Sequence, residues 1–76
     1  MKETSIMLSS VEDIRNFVNE VILVDYDVDL VQGRYTIDAK SIMGIFSLDL
    51  MNPIRMTIHS DSAEEFLARV EGFIVK

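Results

Sequence analysis

The sequence predicts an α+β fold, with one four-stranded antiparallel sheet and three helices on one face in the order β-α-β-β-α-β-α. Three observations carry that prediction. Four short stretches alternate apolar and polar residues with the period of a strand, two others repeat apolar residues at helical spacing, and one more is apolar almost throughout behind a serine cap. Turn and cap residues separate them, with no linker, internal repeat or low-complexity segment. Such a sheet buries one side of each strand beneath a single layer of helices, an open-faced sandwich.

The first strand covers Lys2 to Leu8, with Ile6 and Leu8 on one face and Ser5 and Met7 on the other. Ser9 and Ser10 then precede Val11-Glu12-Asp13. A serine that accepts from a free backbone N–H, followed by acids in the first turn, marks a helix start. Val11, Ile14, Phe17, Val18 and Val21 form the apolar stripe of that helix, and Glu12, Asp13, Arg15, Asn16 and Asn19 its outer side. Period two returns from Asp25 to Gln32, with Val28 and Leu30 inward and Asp27 and Asp29 outward. Gln32-Gly33-Arg34 is a turn, because glycine reaches the positive φ of a tight hairpin without steric penalty. Tyr35 and Ile37 continue into a third strand, so the hairpin has one acidic, solvated face.

Lys40 to Leu50 is apolar almost throughout and fits a short helix capped by Ser41, with Gly44 lowering its intrinsic stability. Asn52-Pro53 breaks the chain. From Ile54 to His59 the alternation places Ile54, Met56 and Ile58 inward. Ser62 and Glu65 match a capping box opening a last helix, whose core face is Phe66, Leu67, Val70, Phe73 and Ile74.

Seventy-six residues suit one domain, 1–76, and a hydrophobic content of 49% supplies its core. With no cysteine and a single histidine, neither a disulfide nor a metal is expected to brace it. A net charge of −6 argues against nucleic-acid binding, which draws on phosphate neutralisation by Lys and Arg. No apolar run is long enough for a signal peptide or a membrane span, so a cytoplasmic protein is expected. There is no glycine-rich phosphate loop, and the scattered carboxylates have no partner for acid–base work, so no enzymatic activity and no cofactor are expected.

Lys40-Ser41-Ile42-Met43-Gly44, followed by Ile45-Phe46 and Ser47-Leu48, resembles the regulatory-serine segment of HPr, the histidine-containing phosphocarrier of the sugar phosphotransferase system. The element order is also that of the family, and Arg55-Met56-Thr57-Ile58 is similar to its fourth strand. The resemblance spans nearly the whole chain, although its sharpest part is residues 40–48 and the last helix ends a few residues early. It implies an HPr-like open-faced β-sandwich. Family members carry a phosphohistidine at the start of the first helix, within His-Ala-Arg-Pro. Counted back from Ser41 without a gap, Ser10 takes the histidine position, Glu12 the arginine position and Asp13 the proline position. Serine without an adjacent base is a weak nucleophile, and two carboxylates oppose an incoming dianion more than the helix dipole attracts it. Ser9, Ser10, Glu12 and Asp13 therefore read as caps. His59 does not replace the lost residue: it belongs at the far end of the sheet, on the polar face, without a ligand cluster for a metal.

The resemblance makes Ser41 the candidate for regulatory phosphorylation by an HPr-kinase-type protein; read from the residues alone, it is a helix cap. Ile42, Met43, Phe46 and Met51 cannot all be buried beneath one short helix, so they read as a partly exposed surface for protein partners, and the resemblance implies partner contacts at Ile42 and Met43. The expected function is a regulatory or protein-binding role beside the phosphotransferase system, without phosphohistidine. The alternatives are a phosphocarrier component acting through fold and partner surface, and a self-associating structural module. Oligomeric state is open at this point.

Overall fold

The computed structural model describes residues 1–75. Alternating Ile54, Met56 and Ile58 organise the sheet, because all three are fully buried on one face of β4 (Ile54–Ile58). β4 is paired antiparallel on both sides. On one side β1 (Lys2–Ile6) sets Ile6 opposite Ile54 and Lys2 opposite Ile58. On the other, β2 (Val28–Gln32) sets Val28 opposite Ile58 and Leu30 opposite Met56. β3 (Tyr35–Asp38) completes the order β1-β4-β2-β3. Each fully buried aliphatic side chain contributes roughly 1.5–3 kcal/mol, so the central strand alone supplies much of the drive to fold. Gly33, with φ at 59°, is the first central residue of the two-residue turn between Gln32 and Tyr35, the place a hairpin of this type reserves for glycine.

Over the buried face lie α1 (Val11–Val21), α2 (Ile42–Phe46) and α3 (Glu64–Arg69), and α1 touches both of the others. Ile14, Phe17 and Val21 of α1 meet Ile45 and Leu48 from the second helical region, and Ala63, Phe66 and Val70 from the third, in one core. Phe17 stands edge-on to Phe73 with ring centroids 5.9 Å apart. Val11, expected on the core stripe, is instead 58% exposed, since the stripe begins one turn before the core does.

Several boundaries differ from those expected. The first strand ends at Ile6 rather than Leu8, where its partner β4 begins at Ile54 directly after Pro53; the Met7 N–H, on the outer edge, donates to the Phe73 carbonyl at 2.8 Å. Leu8 is nevertheless fully buried. The second strand begins at Val28 rather than Asp25; the Leu23 and Val24 N–H groups are taken by carbonyls of the last turn of α1. The fourth ends at Ile58, and the His59 N–H donates to the Asp27 carbonyl at 2.9 Å.

The largest correction concerns the last helix. No Ser62–Glu65 capping box forms: Ala63 occupies the cap position, fully buried and without a side-chain cap. The helix stops at Arg69, a 3-10 turn covers Glu71–Phe73, and Ile74 pairs antiparallel with Ile6. The Val75 N–H then donates to the Ser5 carbonyl at 2.8 Å, so the C-terminal segment lies along the outer edge of β1. The terminal ammonium of Met1 meets Asp61 at 2.8 Å, and this hydrogen bond and its charge hold the Asp61 carboxyl below its ordinary value. Among the described residues, no helix is long and apolar enough to cross a membrane.

Candidate partner surface on the second helix

Two helix starts carry serine caps, and they differ in chemistry. At α1, Ser10 is extended and its Oγ accepts the Asp13 N–H at 3.0 Å. The Asp13 carboxylate accepts the Ser9 N–H at 3.2 Å and the Ser9 hydroxyl at 2.9 Å, closing a reciprocal clamp. Glu12 and Asp13 both lie in the first turn. The hydroxyl at the expected histidine position is thus occupied as a cap and flanked by carboxylates. Replacing Ser10 with alanine is expected to cost about 1 kcal/mol through the lost cap, read as a lower urea midpoint.

At α2, Ser41 is exposed, its Oγ accepts the Gly44 N–H at 3.3 Å, and its carbonyl accepts the Ile45 N–H at 3.1 Å. No acidic residue lies in the first turn of α2. Lys40 precedes the cap, with its N–H on Asp38 Oδ1 at 2.8 Å and its ammonium 3.4 Å from the Val24 carbonyl. Gly44 permits this packing: a Cβ there would lie 3.0 Å from Ser41 Oγ and 3.3 Å from Ile37 Cδ1.

Beyond the cap, α2 sorts its apolar residues as a short helix must. Ile45 is fully buried and Leu48 nearly so, whereas Met43 is 77% exposed and Phe46, three positions on along the same face, is 41% exposed. Ile42, expected on the partner surface, is half-buried against the core, so it edges the surface more than it forms it. Met51, in the connection to β4, is 86% exposed. Three large apolar side chains of α2 and the connection after it are thus open to solvent.

Gln32 positions that connection, and nothing in the sequence announced it. Its side-chain amide donates to the Asp49 carbonyl at 2.8 Å and accepts the Asp49 N–H at 2.7 Å, copying a strand partner. Asp49 in turn accepts from the Met51 N–H at 3.0 Å and the Asn52 amide at 2.7 Å. The two sides lie 17 residues apart in sequence, so neither periodicity nor a local motif reveals the contact. Ile22 and Leu23 were also missed as exposed apolar residues, because they follow the end of the α1 stripe.

His59 sits on the sheet at the end of β4 away from Ser10, as expected, with Nε2 2.8 Å from Asp29 Oδ2. Arg69 does not offer a free cation: it lies 2.8 Å from Glu20 and 3.4 Å from Glu65, beside a cleft of about 470 Å³ that also meets Tyr26. Burial pushes the Tyr26 phenol above its ordinary value, against the opposing charge of Arg69. Among the described residues, no group of three or more His, Cys, Asp or Glu side chains is arranged to hold a metal.

The architecture has close parallels among solved structures. HPr-C-His from Thermoanaerobacter tengcongensis superposes with a TM-score of 0.78 at 24% identity, covering 95% of this chain and 89% of its own. The phosphocarrier protein HPr of Bacillus anthracis gives 0.71 at 25% identity, covering 97% and 96%. This chain has the HPr fold. The histidine-containing phosphocarrier protein of a Mycoplasma agrees at 0.74, with 93% and 89% covered and only 10% identity. No protein-family model matches the sequence, and no curated protein matches it either. The backbone is thus HPr-like although most side chains differ from those of these structures. In the HPr-like chain Ser41 caps the short helix that carries Met43 and Phe46, with Met51 following it, whereas Ser10 caps the helix that carries Glu12.

Proposed function

We propose that this HPr-like protein acts by binding rather than by carrying a phosphohistidine. In this reading it is a regulatory protein beside the sugar phosphotransferase system. Ser41 is its modified residue, and Met43, Phe46 and Met51, edged by Ile42, are its docking face for a phosphotransferase-system or HPr-kinase-type protein. The observation that carries this reading is the contrast between the helix starts. Glu12 and Asp13 repel a phosphoryl group at Ser10, whereas the first turn of α2 holds no carboxylate and Ser41 is open to solvent. A phosphoserine at such a cap gains from nearby backbone N–H groups, so it marks the surface without unfolding it.

The phosphocarrier reading has the likeness to the Bacillus anthracis protein in its favour, and one experiment separates the two. Incubation with enzyme I and phosphoenolpyruvate is expected to leave the chain unlabelled; stable label would overturn the proposal. Incubation with an HPr kinase and ATP is expected to label the wild type and not Ser41→Ala. Equal labelling of both, or none, removes Ser41 from the account.

A further inference from the structure

The chain has no cysteine, so all its sulfur is in the thioethers of five methionines. The fold sorts these sharply. Met56 is fully buried under the helices and Met7 is partly covered, whereas Met43 and Met51 are 77% and 86% exposed. The remaining one, Met1, is the 67% exposed first residue. Both open internal thioethers therefore lie on the apolar surface of α2 and the connection after it. An exposed thioether is reached by peroxide directly; one packed in a core is reached only when the fold opens.

We propose that Met43 and Met51 form a reversible oxidation site that switches this surface off. The inference rests on the reading of the surface as a docking face. In the forward step a sulfur lone pair attacks one oxygen of a hydroperoxide. The S–O bond forms, the O–O bond breaks, and the departing oxygen takes a proton and leaves as water or an alcohol. Sulfur loses two electrons and the peroxide gains them. A thiol reductant reverses the step: the sulfoxide oxygen leaves as water, and two thiols become a disulfide. Each sulfoxide is a strong hydrogen-bond acceptor that holds water and resists burial against an apolar partner. Each oxidation thus replaces an exposed apolar side chain of this region with a wet, polar one. Because neither sulfur is in the core, the switch acts without unfolding.

The test uses the folded chain and hydrogen peroxide, followed by digestion and peptide mass mapping. Met43 and Met51 are expected to gain one oxygen each at least about tenfold faster than Met56, with an unchanged circular dichroism spectrum. Retention on a phenyl support then falls, and it recovers after treatment with methionine sulfoxide reductases and a dithiol. A Met43→Leu/Met51→Leu variant keeps an apolar surface without sulfur, and its retention is expected to survive peroxide even though Met1 is still oxidised. Oxidation of Met56 as fast as Met43, unchanged retention of the oxidised wild type, or equal loss in the double variant would each overturn the proposal. No partner or kinase enters these measurements. A failure of Ser41 labelling therefore shows up separately from a failure of the oxidation site.

Discussion

Replacing Phe17 with alanine is expected to bring the protein close to the point of unfolding at room temperature. Its ring has no exposed surface and stands edge-on to Phe73, the residue that anchors the C-terminal segment over α1. Emptying such a site costs about 3–5 kcal/mol, the lost transfer energy plus the cavity. A chain of this length has a total stability on the order of 4–11 kcal/mol, so this one truncation removes a large part of it. The loss reaches two regions at once, because Phe73 also fixes the turn from which Ile74 and Val75 return to β1. Urea unfolding would show a midpoint shifted far down, with native baseline lost in the most destabilised case. Phe17→Leu, which keeps most of the volume, is expected to lose much less. A shift of under about 1 kcal/mol for Phe17→Ala would mean that the core collapses to fill the site.

Gly44→Val is expected to damage stability and the Ser41 environment together. Even the first added carbon would sit 3.0 Å from Ser41 Oγ and 3.3 Å from Ile37 Cδ1, and a branched side chain adds more on both sides. The helix must lift from β3, or the serine must give up its hold on the Gly44 N–H. Overpacking of this kind costs about 1–3 kcal/mol, against a few tenths recovered from valine's better helix propensity. The proposed modification at Ser41 should slow in the same variant, since the cap that presents the hydroxyl is displaced. Gly72→Ala is the control: nothing lies within 4 Å of a Cβ at that position, and a change within about 0.5 kcal/mol is expected. An unchanged urea midpoint and labelling rate for Gly44→Val would show that α2 has slack the packing does not suggest.

The strands and the first helix were legible because one physical signal sufficed for each. Ile54, Met56 and Ile58 alternate on a strand that buries one face, and Ile14, Phe17 and Val21 recur at helical spacing beneath one another. The last helix shows how that signal misleads. Phe66, Val70 and Phe73 do turn inward, as a continuous helix would have turned them, yet the backbone after Arg69 follows another path. The free edge of β1 offers hydrogen-bond partners to Phe73 and Val75, and that long-range pairing overrides the local pattern. The capping box failed for a related reason. Burial of Ala63 in the core places the chain so that Ser62 stands one residue outside the helix start. Within the candidate site, Ser41 and the excess of apolar side chains were readable from the second helix itself. The half-burial of Ile42 and the Gln32–Asp49 clasp were not, because each depends on how separate segments meet.

The return of the chain along β1 also sets how the molecule bears a load. Ile6 lies opposite Ile74, and Val75 reaches Ser5, so residues 1 and 75 leave the pair from the same end. A force drawn between them does not shear the strands past each other with all their bonds loaded at once. It opens them as a zipper, the Val75–Ser5 bond first and the Met7–Phe73 bond next, each breaking alone. A single-molecule pull in that geometry should meet low resistance, and the stability of the folded core will not predict it.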